Sequence, residues 1–328
     1  MFNNSYKLIF MMTLMFSTIL IISSNTWISM WMGLEINLLS FIPLLNNNKL
    51  MSSEASLKYF LIQTIASSIL LLSIILIMNN FFFMKMMITT SLLLKMGTPP
   101  FHFWLLSIIE GLSWFNVFIM LTWQKIAPMM ILSLLSMNPM IMISMILSSL
   151  IGAIGGINQT SMRKLISYSS INHMSWMIYS LMNNIILWTM YLILYSIILI
   201  PLIYLFNSKQ IYHINQLSLS FISNKYIKIM LMINLLSLGG LPPFTGFFPK
   251  WMLINLMTIN NQFLLSIIMI LCSLITLFFY IRMTYSTLLI NSLKINWLNS
   301  SYQSKHFLMI LISLSLFSLI LLPSFFLV

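Results

Sequence analysis

About eleven apolar stretches follow one another along the chain, each near the length that crosses a bilayer. A transmembrane helix needs about 20 mostly apolar residues, and charged residues make up only 5% of these 328 residues. A water-soluble chain of this length needs far more surface charge. The sequence therefore predicts an all-α polytopic membrane protein with about eleven transmembrane helices. The predicted spans are 4–24, 27–45, 57–78, 84–105, 114–135, 140–157, 165–182, 185–206, 227–257, 263–290 and 307–328.

Basic residues in the predicted loops lie almost entirely on one side of the membrane. Numbering the loops alternately leaves only Lys85 on the opposite side. The positive-inside rule then places the amino terminus towards the cytoplasm or matrix and the carboxyl terminus towards the other compartment. The net charge of +12 is explained by this topology, so we expect no nucleic-acid partner. The residues of the basic side are Lys7, Lys49, Lys58, Arg163, Lys164, Lys209, Lys225, Lys228, Arg282, Lys294 and Lys305.

One of the three acidic residues lies at membrane depth. Glu35 is midway along the second span, where burying a charged carboxylate is costly unless a partner or a proton offsets the charge. Such a residue is a functional hypothesis by default. The other two acids, Glu54 and Glu110, are predicted in loops, where we expect solvated carboxylates.

Three lysines also lie inside apolar spans. Lys95 is in the fourth span, Lys125 is near the centre of the fifth, and Lys250 is in the ninth. Burial weakens the binding of a proton to a lysine, whereas a nearby carboxylate strengthens it. Movement of the carboxylate can therefore change whether the lysine is protonated. Together with Glu35, the lysines predict a chain of proton-exchanging groups within the membrane. The alternative is a fixed salt bridge, or a lysine that extends its ammonium group to the interface.

A Gly-Pro-Pro interruption occurs in two spans. Gly97 and Pro99-Pro100 in the fourth span are echoed by Gly240 and Pro242-Pro243 in the ninth. Proline removes a backbone donor and clashes with the preceding turn, so both helices are predicted to be broken, near 95–101 and 239–250. Because these two spans enter the membrane in opposite directions, we expect two inverted five-helix repeats. The predicted divisions are 1–135, 136–290 and a final loop and span at 291–328.

Two histidines are candidate proton carriers. His173 lies at mid-depth of the seventh span, and His102 follows the first break. A histidine can change charge near neutral pH, although a lone histidine on an apolar helix is often a hydrogen-bonding group with a structural role. The only cysteine, Cys272, is expected to serve packing, so neither a metal site nor a cysteine-ligated cluster is predicted.

Several motifs together resemble the chain 2 family of NADH-ubiquinone oxidoreductase, the antiporter-like membrane subunits of respiratory complex I, in its insect form. The resemblance covers essentially the whole chain. Related antiporter-like subunits share each motif more loosely, and this sequence departs from the pattern at Thr98-Pro99. The motifs are WMGLEIN at 31–37, SEASLKYF at 53–60, KMG at 95–97 with PFHFW at 100–104, TWQK at 122–125, NQT at 158–160, and GGLPP at 239–243 with PKW at 249–251.

The resemblance implies an antiporter-like fold and a role for each buried charge. Glu35 would pair with Lys95, and Lys125 would connect them to Lys250. The family lies in the inner mitochondrial membrane, which puts the amino terminus on the matrix side and the carboxyl terminus on the intermembrane-space side. Its partners are sister antiporter-like subunits, other membrane-arm and accessory subunits, and lipids such as cardiolipin. No NAD, FMN, iron–sulfur cluster or ubiquinone is expected in this chain, since partner subunits hold them.

The predicted function is proton translocation coupled to NADH:ubiquinone electron transfer, through Glu35, Lys95, Lys125, Lys250 and His173, with His102 as a further candidate. Two alternatives remain open from the sequence. A subunit of an Mrp-type cation/proton antiporter would share the broken helices and lysines but would exchange Na⁺ without NADH. A purely structural membrane subunit would need its buried lysines for assembly and not for coupling.

Overall fold

The computed structural model describes residues 2–46, 49–76, 82–220, 225–242 and 244–289. These residues form fourteen α-helices and no β-strand. The predicted all-α class is therefore correct for the described chain. The helices are α1 (Phe2–Ser23), α2 (Trp27–Leu45), α3 (Leu50–Leu76), α4 (Phe82–Met96), α5 (Phe103–Gly111), α6 (Trp114–Leu121), α7 (Trp123–Leu132), α8 (Pro139–Ile157), α9 (Met162–Asn183), α10 (Ile185–Lys209), α11 (Ile214–Ser220), α12 (Lys225–Gly239), α13 (Phe247–Ile259) and α14 (Phe263–Leu289).

Seven helical segments in the described ranges are long and apolar enough to cross a membrane, one of them formed by α6 and α7 together. The others include pieces of interrupted spans, such as α4 with α5 and α12 with α13, each too short alone for the thickness of a bilayer. The total of about eleven spans and the inverted repeats stay predictions. The eleventh span and the segment 291–328 lie outside the described residues.

The chain divides into two compact units. Unit 1 comprises Met1–Ser148 with Leu181–Ile185, and unit 2 comprises Ser149–Ser180 with Ile186–Val328. Within unit 1, α2 packs on α1, α3 and α7, while α3 also packs on α4 and α5. Within unit 2, α14 packs on α11, α12 and α13. The repeat boundaries drawn from the sequence are a different division and remain predictions.

Small residues allow helices to approach closely in unit 2. A Cβ at Gly152 would lie 2.6 Å from the backbone nitrogen of Asn172, and one at Gly156 would lie 2.8 Å from the ring of Phe279. In a membrane, such close backbone contact compensates for the weak hydrophobic drive between helices. The glycines of α8 thus leave space for α9 and for the Phe279 side chain of α14 to pack closely against it.

The two remaining acids lie on helices and not in loops, which corrects the sequence prediction. Helix α3 begins at Leu50, so Glu54 is in its first turns and its Oε1 is 2.6 Å from Lys58 Nζ. An ion pair between residues four apart stabilises an exposed helical turn. A search for apolar spans does not detect such a turn, because its residues are charged. Glu110 is exposed in the last turn of α5.

Candidate functional site: buried lysines at the helix breaks

Both predicted helix breaks are present, and they are built alike. Helix α4 ends at Met96 and helix α12 at Gly239, and the next residue in each case is a glycine with positive φ, +68° at Gly97 and +84° at Gly240. The residue after each glycine donates its N–H to the carbonyl five residues back, at 3.1 Å and 3.4 Å. This is the Schellman C-cap, which glycine favours because a Cβ strains a left-handed backbone.

A tight turn follows each capped end. Phe101 donates its N–H to the carbonyl of Thr98 at 2.8 Å, and Phe244 donates to Leu241 at 2.9 Å. Prolines at the second position of a turn supply the φ that the turn needs and cannot continue a helix. Helices then restart as α5 and α13, so each break exposes carbonyl groups inside an otherwise apolar span.

At the first break, neutral side chains donate hydrogen bonds to the backbone carbonyls that have no partner within the helix. Trp104 donates its indole N–H to Leu94 at 3.0 Å, and Gln63 donates its amide to the carbonyl of Lys95 at 3.2 Å. The hydroxyl of Thr98 adds a bond to Leu93 at 3.1 Å. The carbonyl end of α4 is thus satisfied without the Lys95 ammonium group, which is buried in the last turn, where the helix dipole favours a cation.

The second break uses its own lysine. Lys250 is buried in the first turn of α13, and its Nζ donates to the carbonyl of Gly239, at the end of α12, at 2.9 Å. Glycine at 240 gives this side chain room, because a Cβ there would lie 2.9 Å from Nζ. The ammonium group thereby binds the carboxyl-terminal, negative end of the α12 dipole, although Lys250 itself lies at the amino-terminal, positive end of α13.

Lys125 lies at a third interruption, which the sequence analysis missed. Helix α6 ends at Leu121 and α7 begins at Trp123, with Thr122 between them at φ −118° and ψ −72°. The carbonyl of Phe118 accepts both the backbone N–H of Thr122 at 3.1 Å and the Thr122 hydroxyl at 2.7 Å, and such bonding of a threonine hydroxyl back to its own helix often bends the helix. Pro128 lacks the N–H that would bond to Gln124. Lys125 is buried in the first turn of the short helix α7. Thr122 before it and Pro128 after it both change the backbone hydrogen bonding of the helix.

Lys95 and Lys125 line the same cavity in unit 1. Its volume is about 20 Å³, which is room for about one water. Apolar side chains of α2, α4, α5, α6 and α7 complete the wall. The polar residues that line it are Asn37, Tyr59, Gln63, Lys95, Gln124 and Lys125.

Glu35 is close to this cluster without touching the lysine. It interacts electrostatically with Lys95 and with Tyr59. Its Oε1 is buried and has no hydrogen-bond partner, and within the described residues Glu35 and Lys95 form no direct ion pair. An unpaired buried carboxylate oxygen is costly, and a hydrogen-bond donor or a cation at this atom would offset that cost. Unit 1 therefore brings together three of the predicted site residues.

The two histidines differ in their surroundings. His173 is buried in unit 2, and its Nδ1 lies 2.8 Å from the hydroxyl oxygen of Tyr191. His102 is buried at the N-cap of α5 in unit 1, its Nδ1 has no hydrogen-bond partner, and it is not among the residues that line the cavity. Lys250 and His173 thus belong to unit 2, whereas His102 belongs to unit 1.

Sequence analysis gave no role to the uncharged polar residues around the lysines. Gln124 donates its amide to Asn37 Oδ1 at 3.1 Å across two helices, and both line the cavity with Gln63. The available signal was an amide side chain inside an apolar span, at helical spacing from a buried charge: Asn37 follows Glu35 by two residues, and Gln124 precedes Lys125. Amides in such places are retained only when they are hydrogen-bonded.

A family model and curated relatives match this chain over most of its length. The matching family is described as NADH:quinone oxidoreductase/Mrp antiporter, transmembrane, and it matches residues 24–81 and 78–276. NADH-ubiquinone oxidoreductase chain 2 of Aedes aegypti is 51% identical over 315 residues, which cover 92% of each chain.

Solved structures share the fold at lower identity. A chain of respiratory complex I from Thermus thermophilus with bound aureothin has a TM-score of 0.84 at 20% identity, covering 97% of this chain and 78% of that one. A chain of the Mrp complex from Dietzia sp. has a TM-score of 0.71 at 15% identity, covering 84% and 59%. Since identity to the Aedes aegypti protein is high over nearly the full length, the chain belongs to the NADH-ubiquinone oxidoreductase chain 2 family.

Proposed function

We propose that this chain is a proton-translocating membrane subunit of NADH-ubiquinone oxidoreductase. In this proposal Glu35, Lys95, Lys125 and Lys250 pass protonation along the membrane, with His173 as an intermediate carrier in unit 2 and His102 as a weaker candidate in unit 1. The family membership supports the assembly, and the buried charges support the relay.

The observation that carries the relay is the shared cavity of unit 1. Two buried lysines line a space that holds about one water, amide groups complete its polar wall, and a buried carboxylate oxygen without a partner lies within electrostatic reach of one lysine. Proton exchange needs groups that meet directly or through one water. When Glu35 moves towards Lys95, its charge favours the protonated lysine, and when it moves away, the proton is free to pass to Lys125.

The relay is tested with methionine at each lysine of unit 1. We expect Lys95→Met and Lys125→Met to remove most NADH-driven proton pumping in membrane vesicles, while NADH-driven quinone reduction is reduced less. Lys58→Met is the matched control, because Lys58 is exposed and pairs with Glu54 on the outside of α3. Unchanged pumping per NADH in either cavity variant would remove that lysine from the relay.

We further propose that the cofactors and the quinone bind other subunits of the assembly. NAD, FMN, the iron–sulfur clusters and ubiquinone would all lie outside this chain, which would contribute proton transfer only. Its partners would be the sister antiporter-like and accessory subunits, with lipids such as cardiolipin at the periphery. The location would be the inner mitochondrial membrane, with the amino terminus on the matrix side, in agreement with the loop charges.

Membership of the assembly is tested on gently solubilised membranes. Native gel separation, in-gel staining for NADH dehydrogenase and mass spectrometry should find peptides of this chain in a very large, NADH-active band. The second candidate function is that of an Mrp-type antiporter subunit, which the similarity to the Mrp complex favours. That function predicts peptides only in smaller, NADH-inactive bands and Na⁺ exchange without NADH.

A third possibility is a structural subunit that keeps its neighbours in register. In that case the lysine variants would lower the amount of assembled complex, and the complex that remains would pump normally. Comparing pumping per assembled complex with the amount of complex separates this outcome from the relay.

A further inference from the structure

His173 of unit 2 lies in a pocket of aromatic hydroxyl groups. Its Nδ1 is 2.8 Å from the hydroxyl oxygen of Tyr191, and its ring centre is 4.9 Å from that of Tyr195. All three side chains are buried, with 7% or less of their surface exposed. A hydrogen bond in such surroundings is not exchanged for one to bulk water, so it decides which ring nitrogen can carry a mobile proton.

Tyr191 also lies on the wall of a second cavity in unit 2. This cavity, of about 20 Å³, is lined by residues of α10 and by the first turns of α13, including Phe248 and Pro249. Pro249 directly precedes Lys250. One phenol side chain therefore contacts the histidine of α9 and borders the helix that carries the lysine of the second break.

We infer that Tyr191 is a positioning residue for His173: its oxygen accepts the Nδ1–H of the imidazole and leaves Nε2 as the atom that takes up and releases the proton. This inference rests on the proposed role of His173 in the relay. It adds a residue, a hydrogen-bond direction and a reacting atom to that role.

The direction of the bond follows from the chemistry of both groups. A hydroxyl oxygen can accept from Nδ1–H whether the ring is neutral or protonated, so the bond persists while Nε2 gains and loses its proton. In the reverse arrangement, the tyrosine hydroxyl would donate to Nδ1. The only free lone pair of the neutral ring would then be occupied, and the hydroxyl would have to turn each time the ring was protonated. The first arrangement needs no movement of a buried side chain.

Apart from Lys250, the ionisable groups described around this pair are phenols. Tyr195 faces His173 from α10, and Tyr280 of α14 interacts electrostatically with both Tyr191 and Tyr195. Lys250 of α13 binds the carbonyl of Gly239. A neutral hydroxyl that accepts from Nδ1 is thus the contact that fixes the ring, while no carboxylate is among these neighbours in the described chain.

The test compares two phenylalanine variants in the assembled complex. Tyr191→Phe removes the hydroxyl at Nδ1 and keeps the ring. Tyr195→Phe is the matched control, since this tyrosine packs on the same imidazole from one turn away while the hydroxyl at Nδ1 is that of Tyr191. The first readout is infrared difference spectroscopy with isotope-labelled histidine, in which ring C–N stretching bands distinguish the two neutral tautomers. His173→Gln identifies the bands of His173.

The second readout is NADH-driven proton pumping. We expect Tyr191→Phe to lower it about fivefold, corresponding to the ~1 kcal/mol of one hydrogen bond, and Tyr195→Phe to change it less than twofold. We also expect His173 to carry its proton on Nδ1 in the unmodified complex and to lose that preference in Tyr191→Phe. In a His173→Gln background, Tyr191→Phe should have no additional effect on pumping.

An Nε2–H tautomer in the unmodified complex would overturn the inference, and so would an unchanged tautomer in Tyr191→Phe. An equal loss of pumping with or without His173 would show that Tyr191 acts only on structure. Normal pumping by His173→Gln would also overturn the inference, but the lysine relay of unit 1 would stand, because the lysine variants test it separately.

Discussion

The two helix breaks share a backbone design and differ in what satisfies the carbonyl groups they free. In unit 1 an indole and an amide take the carbonyls of Leu94 and Lys95. In unit 2 the ammonium group of Lys250 takes the carbonyl of Gly239. A glycine with positive φ and a proline turn therefore provide the break, and the neighbouring side chains decide the role of the lysine.

In the proposed relay, this difference separates a lysine whose role is proton exchange alone from one that also bonds to the backbone of the break. At the first break neutral donors satisfy the end of α4, and Lys95 lines the cavity with Lys125. At the second break, a charge-assisted bond, stronger than a neutral one, connects the Lys250 ammonium group of α13 to the last carbonyl of α12, so proton exchange at Lys250, as proposed, would affect this break. Movement of the Lys250 side chain would loosen that break, whereas movement of Lys95 leaves the first break capped.

The largest expected contrast is between the two lysines. Both Lys250→Met and Lys95→Met should abolish most pumping, but Lys250→Met should also lower stability by about 1.5–3 kcal/mol, because it removes a charged donor from a buried carbonyl. Lys95→Met should change stability little, since Gln63 bonds to the backbone carbonyl at residue 95 and methionine keeps that carbonyl. Thermal inactivation of the purified complex measures this. Equal losses of stability would mean that the two breaks do not differ.

Adjacent glycines of the second break give a smaller contrast. Gly240→Ala should destabilise the chain by about 1–3 kcal/mol, because a Cβ is strained at φ +84° and would lie 2.9 Å from Lys250 Nζ. Gly239→Ala is the control, with its nearest neighbour at 3.4 Å. The amount of assembled complex and its thermal inactivation are the measurements. Comparable behaviour of the two variants would argue against the left-handed cap.

The smallest expected effect is at the first break. Trp104→Phe keeps an aromatic ring against Tyr59 but removes the indole N–H that binds Leu94. We expect a loss of about 1 kcal/mol in stability, the net value of one neutral hydrogen bond, with pumping per complex retained. Trp251→Phe, on a side chain that is 46% exposed, is the control. Full loss of pumping in Trp104→Phe would show that this cap also governs the relay.

The sequence predicted the breaks well because their causes are local. Glycine and proline act through their own backbone restrictions, so Gly97 and Gly240 identify both interruptions without any tertiary contact. The interruption at Thr122 was missed because a threonine alters a helix only when its hydroxyl bonds to a particular carbonyl. The sequence pattern likewise identified Lys95 and Lys125 as buried, but their common cavity depends on how six helices, α2 to α7, pack. The hydrogen bond from Gln124 to Asn37 joins residues far apart in the chain, and no spacing rule indicates it.

The most direct test of the central claim is a double-mutant cycle on the two lysines of the cavity. Protons pumped per NADH oxidised would be measured in complexes carrying Lys95→Met, Lys125→Met, or both, and normalised to the amount of assembled complex. Residues that act as one unit are strongly non-additive. We expect each single variant to lose most of the pumping assigned to this chain and the double variant to lose no more. Independent losses that add, or a single variant that pumps normally, would contradict the proposed relay.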